Sequence, residues 1–138
     1  MEVRSHCPIN FTLEHFGDKW SFLIIRDLMF KDKRHYNEFL EAGENVSTSV
    51  LGDRLRKLEA HGIISKGKDS VKKSRIRYSL TKKGIDLLPI LIEMIIWGGE
   101  KDRFTESPEE FMDQAAQDKE ALINRIREKL IREHLLQQ

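Results

Sequence analysis

Ser47, Thr48, Ser49, Asp53, Arg54, Arg56 and Lys57 stand within eleven residues, and Lys72, Lys73 and Arg75 follow within the next eighteen. These residue types meet duplex DNA: Arg and Lys neutralise phosphate or reach guanine, hydroxyls reach base edges or phosphate, and a carboxylate accepts from the cytosine amino group. Arg56 is the strongest candidate for base readout, because it falls on the outward face of an amphipathic helix. Asp53 would repel phosphate, but it could accept from a cytosine or orient Arg56. Thr48 and Ser49 have two readings, base contact or helix capping. Arg54 and Lys57 could add base or phosphate contacts. Lys72, Lys73 and Arg75 would meet the backbone or the adjacent minor groove. Arg77 reads as a solvated strand residue.

Charge distribution supports this reading better than the total of +1 does. Residues 52–83 hold eleven Lys/Arg against three Asp/Glu, a local balance of +8. Residues 1–51 balance at −2 and residues 84–138 at −5. A basic window of that kind is where a nucleic-acid footprint sits, although a solvated face with no partner has the same composition.

Other chemistry is thinly represented. The single cysteine, Cys7, excludes an intramolecular disulfide and predicts a reducing cytoplasm. As a thiol it reads either as a reactive redox sensor, favoured by Arg4 and His6, or as a small buried anchor, and residue statistics favour the anchor. His6-Cys7 leaves a tetrahedral metal site unfinished, and His15, His35, His61 and His134 show no ligand spacing, so neither metal nor cofactor is expected. No phosphate-cradling glycine loop, zinc-protease helix or nucleophile elbow is present, and the chain is not expected to be an enzyme. Phe16, Phe22, Trp20, Met94 and Trp97 could line a small-molecule effector pocket, but ordinary packing explains them as well.

The elements that must position these residues are legible. Ser47 is a good N-cap, and Leu51, Leu55 and Leu58 form one apolar stripe. Gly62 suits the left-handed position that closes such a helix. Ile63-Ile64 and Ile76 to Leu80 read as a hairpin around a turn from Asp69 to Ser74. A small, polar, basic helix face followed by a lysine-rich ribbon is the layout of a winged helix-turn-helix on double-stranded DNA. The pattern predicts a mainly α fold with a small β-hairpin wing. Upstream, helices are expected over Phe11 to Phe16, stopped by Gly17, over Lys19 to Phe30, and over His35 to Leu40. Glu41 to Val46 makes the turn, with Gly43 available for positive φ.

Downstream, Thr81 is expected to cap a helix whose apolar residues, Ile85 to Trp97, cover its whole circumference. Pro89 should kink it, and Gly98-Gly99 should end it. At eleven residues the run Leu87 to Trp97 is too short to cross a bilayer, which takes about 20; no membrane association or secretory signal is expected. A helix apolar all round needs cover on every side, either from a second copy of the chain or from the chain's own terminal helices. Ser107 then reads as an N-cap and Pro108 as the first residue of a long helix to Leu136.

Cys7-Pro8, Leu13-Glu14, Gly17-Asp18-Lys19-Trp20 and Ile24-Ile25-Arg26-Asp27-Leu28 resemble the opening of the HxlR-type regulators, within the wider MarR-like group of bacterial winged-helix transcription factors. The resemblance continues through Arg34 to Phe39, Val46-Ser47, Leu51 to Glu59, His61 to Ile64, Tyr78 to Thr81, Gly84, Leu88-Pro89 and Trp97-Gly98. It implies a homodimeric transcriptional regulator, by default a repressor, on a pseudo-palindromic operator. Phe11, Leu88, Leu91, Ile92, Ile95, Ile96 and Trp97 would lie at the dimer interface. Several similar proteins sense oxidants through a cysteine near position 7, so an oxidant or small-molecule effector is implied. The resemblance predicts a DNA-binding and dimerisation domain over 1–104 and a helical extension over 105–138. A wing without proline should have a looser tip. Gly52-Asp53 departs from the polar pairs common in relatives, so no operator sequence carries over. A winged-helix module that binds protein or RNA is the competing reading.

Overall fold

The computed structural model describes residues 3–136. Backbone contacts divide the chain after Thr81 into two compact units, so residues 82–104 fall in the second. The first carries α1 (Pro8–Phe16), α2 (Ser21–Phe30), α3 (Tyr36–Leu40), α4 (Thr48–Ala60), β1 (Ile64–Lys68) and β2 (Ile76–Leu80). The second carries α5 (Lys82–Ile85), α6 (Leu88–Lys101), α7 (Glu109–Leu130) and a π-helical turn, Ile131–Leu135. The fold is mainly α with a two-stranded antiparallel hairpin, as a winged helix-turn-helix requires.

In the first unit, α1 starts three residues before the expected Phe11, because Pro8 sits in its first turn and needs no N–H partner there. Gly17 ends α1 at an ordinary φ of −73°. Glycine is needed there for space: a Cβ would lie 2.4 Å from the Leu13 carbonyl oxygen. Asp18 then starts α2. Its Oδ1 accepts from the backbone N–H of Trp20 at 2.8 Å and of Ser21 at 2.9 Å, and its Oδ2 from the Ser21 hydroxyl at 2.6 Å. Ile24, Ile25, Leu28, Phe39, Leu51, Leu55, Leu58, Ile63, Ile64 and Leu80 are all buried. In the turn between α3 and α4, Asn45 takes the positive φ of 59° that was expected of Gly43. Asparagine tolerates the left-handed region through its short polar side chain.

The second unit departs further from expectation. The apolar run is not one kinked helix. It breaks at Asp86-Leu87, and Pro89 falls in the first turn of α6, where a missing N–H costs nothing. Gly98 and Gly99 lie inside α6, which runs on to Lys101. Thr81 spends its hydroxyl donating toward the carbonyls of Gly62 at 2.6 Å and Ile63 at 3.0 Å. Pro108 rather than Ser107 holds the cap position of α7. That helix is broken at Asp118, with φ −156° and ψ 84°, and the Asp118 carboxylate recaps the second half by accepting from the Ala121 N–H at 3.0 Å.

Candidate nucleic-acid interface

The local sequence builds α4 completely. The Ser47 hydroxyl accepts from the Val50 N–H at 3.3 Å. At the other end Gly62, at φ +73°, donates to Glu59 while Ile63 donates to Leu58, both at 2.9 Å. Those paired bonds are the Schellman closure, which a residue with a Cβ would strain. The stripe Leu51, Leu55 and Leu58 is at most 3% exposed and fixes the rotation of the helix. Thr48, Ser49, Arg56 and Lys57 are therefore turned to solvent, the arginine side chain 73% exposed and the lysine 62%.

The other candidates on α4 are engaged. Arg54 lies only 23% exposed, its Nε 3.0 Å from Asp18 and a second nitrogen against Asp53. It joins the start of α2 to α4, so its flank position is an anchor. Asp53 faces Lys57 at 3.3 Å and Arg56 at 4.0 Å as well. A hydrogen bond from Lys57, helped by Arg54, holds its carboxyl below the usual range. Burial opposes ionisation of Asp18, but bonds from Ser21, Trp20 and Arg54 outweigh it and bring the pKa to about 2.

The wing is tied to the first helix of the helix-turn-helix by residues to which the sequence reading gave no such role. Strand β2 is paired on one side with β1, Ile64 facing Leu80 and Lys68 facing Ile76. On the other side the Tyr78 N–H donates to the Arg34 carbonyl at 2.7 Å, and the Arg34 side chain donates to the Tyr78 carbonyl and the Ser79 hydroxyl. At the tip, Asp69 is 5% exposed; its Oδ2 accepts from the N–H groups of Val71 and Lys72 at 3.1 and 2.9 Å. Its Oδ1 takes His35 Nε2 at 2.7 Å, while His35 Nδ1 meets Glu38 at 2.5 Å. The expected looseness is thus replaced by an aspartate turn pinned to α3, in which the Lys72 N–H and then His35 hold the Asp69 carboxyl well below its usual range. Lys72 and Lys73 are exposed, whereas Arg75 lies 3.4 Å from Asp69.

Cys7 is exposed rather than the buried anchor that statistics favoured. It stands at the N-cap position of α1, and the N–H groups of Asn10 and Ile9 lower its thiol pKa. Of the expected dimer contacts, Leu88, Leu91 and Ile92 are at most 4% exposed and already covered by the chain itself, so they offer a second copy no surface. Phe11 is 46% and Trp97 68% exposed, and Ile95 and Ile96 are half-buried. Phe16 stacks on Phe22 at 4.9 Å, and the cavity beside Trp20 measures about 10 Å³, room for one water and no effector. Met94 is exposed. Among the described residues, no three His, Cys, Asp or Glu side chains converge as a metal site needs. Among the same residues, no helix is long and apolar enough to cross a membrane.

Comparison with known proteins agrees with this geometry. Residues 15–106 match the family model described as HxlR-like helix-turn-helix. An HTH-type transcriptional regulator of Synechocystis sp. is 41% identical over 88 residues, covering 64% of this chain and 64% of the relative, so the match falls short of two thirds of that protein. The HTH-type transcriptional regulator YybR of Bacillus subtilis is 35% identical, covering 67% of this chain and 73% of its own length. Among solved structures, the redox regulator HypR in its oxidized form superposes with a TM-score of 0.62 at 33% identity, covering 70% of this chain and 98% of that one.

Proposed function

The chain belongs to the HxlR-like helix-turn-helix family of DNA-binding transcriptional regulators, and from that premise we propose that it acts as a homodimeric repressor on a pseudo-palindromic operator. The observation that carries the reading is the pairing of a solvent-facing polar and cationic helix, Thr48, Ser49, Arg56 and Lys57, with a pinned wing bearing exposed Lys72 and Lys73. The helix enters the major groove by its N-terminal half, Arg56 reads base edges, Asp53 orients it, and the wing lysines neutralise phosphate. Arg54 supports α4 from behind. Two copies joined through the exposed apolar residues of α1 (Ile9, Phe11, Leu13) and of α6 (Ile90, Met94, Trp97) present paired helices to half-sites about one helical turn apart. Exposure of Cys7 at a helix N-terminus favours an oxidant or electrophile as the signal, the class of control named for HypR.

Footprinting on the DNA upstream of the protein's own coding region tests the reading. A protected inverted repeat is expected. Arg56→Ala should lose more affinity on the repeat than on random duplex, and Lys72→Ala should lose equally on both. Diamide should weaken the wild type and spare Cys7→Ser. Preference for RNA over duplex, or an absent footprint, would leave an interaction module instead.

A further inference from the structure

Between α3 and the outgoing strand of the wing lies a cleft of about 300 Å³. Asn37 stands on one wall, Ser74 and Arg75 on the other, and all three are exposed. Tyr36 also lines the cleft, and its hydroxyl donates to the Thr48 carbonyl at the start of α4 at 3.0 Å. A helix in the major groove and a wing in the neighbouring minor groove are separated by one sugar–phosphate strand. That strand has to pass over the surface joining the two elements, and here that surface is the cleft. We propose that the cleft seats one backbone phosphate of the dividing strand, held by the Arg75 guanidinium, the Asn37 amide and the Ser74 hydroxyl. The proposal rests on the DNA-binding reading above and adds to it a phosphate contact from α3, outside the recognition helix and the wing lysines.

Two carboxylates stand against an anion at this place, Glu38 and Asp69. His35 faces both, through Nδ1 at 2.5 Å and Nε2 at 2.7 Å. Asp69 also accepts from the Val71 and Lys72 N–H groups and has Arg75 at 3.4 Å, which offsets its charge toward the cleft. The His35 contacts fasten the wing tip to α3 and hold the two walls at a fixed separation. His35 is therefore a positioning residue that holds the cleft open between α3 and the wing.

The test uses the full chain with a duplex bearing the footprinted repeat and a random duplex. Asn37→Asp adds a carboxylate at an exposed position and should weaken both complexes by about tenfold at low salt. Asn37→Ala should weaken them by less. Arg75→Gln should reduce the slope of log affinity against log salt by about 0.9, the value for one lost phosphate contact. A set of duplexes with single methylphosphonates should contain one position whose neutralisation removes the Asn37→Asp penalty, an effect that loss of folding would not produce. Binding of Asn37→Asp within about twofold of wild type, or no methylphosphonate that relieves it, overturns the phosphate seat and leaves the regulator reading standing. A wild type that ignores duplex DNA refutes both.

Discussion

Replacing Asp18 by alanine should destabilise the first unit by about 2 kcal/mol at neutral pH, and two routes lead to that figure. Counted by contacts, the substitution removes an N-terminal cap for α2, worth about 1 kcal/mol, and a half-buried pair with Arg54, worth roughly 0.5 to 1 kcal/mol. Counted by titration, the pKa of Asp18 falls from 3.8 to about 2. At 1.36 kcal/mol per unit, and discounted for the quarter of the side chain that meets water, the ionised group contributes about 1 to 2 kcal/mol. Because the folded pKa is depressed, this stability is complete above the unfolded value near 4 and disappears as pH falls toward 2. Urea unfolding followed by Trp20 fluorescence, in a Trp97→Phe background, reads the effect directly. The Asp18→Ala curve should shift to lower urea at pH 7 with unchanged slope and converge on wild type near pH 2. Asp18→Ser should recover the cap but not the Arg54 contact. Arg54→Met should cost less in the Asp18→Ala background than alone. An Asp18→Ala protein within about 0.3 kcal/mol of wild type at pH 7, or a deficit that persists unchanged to pH 2, would refute the reasoning.

Gly17→Ala should cost about 2 kcal/mol in thermal unfolding, because the added Cβ meets a backbone oxygen at 2.4 Å that no rotamer change can move; an unchanged melting temperature would show that α1 gives way freely. Met94→Gln combined with Trp97→Asn strips two exposed apolar side chains from α6 and should convert a sedimenting dimer to a monomer at micromolar concentration. A dimer in both proteins would place the interface elsewhere.

What was legible in the sequence was whatever local chemistry decides. Ser47, the leucine stripe and Gly62 each sit within a few residues of the groups they satisfy, and α4 was readable from end to end. Pro89 was ambiguous for a physical reason: a residue without N–H kinks a helix interior and starts a helix equally well, and only the break at Asp86-Leu87 separates the two. Asn45 took the left-handed place of Gly43 because the turn requires positive φ at one position and both residues tolerate it. Asp18 stands three residues before Ser21, a capping signal present in the sequence, but its hold on Arg54 spans 36 positions and left no local trace. His35 and Asp69 are 34 positions apart, and nothing near either residue announces the other.

The same non-local pairing changes what the basic window means. Its balance of +8 is not +8 facing a partner. Arg54 is committed to Asp18 and Asp53, Lys57 leans on Asp53, and Lys66 lies 3.8 Å from Glu59. Among the described residues, Lys68, Lys72 and Lys73 are the exposed cations of the hairpin without an ion partner, and Arg56 keeps only a 4.0 Å contact with Asp53. Each neutralised phosphate contributes a slope of about −0.9 to the salt dependence, so a few free cations per chain give far gentler salt sensitivity than the sequence count suggests. The committed cations act earlier in the chain of cause: Arg54 fixes α4 against the start of α2, and Lys66 ties β1 to α4. Shape, held by those buried and half-buried pairs, then does for recognition what a larger free charge would otherwise have to do.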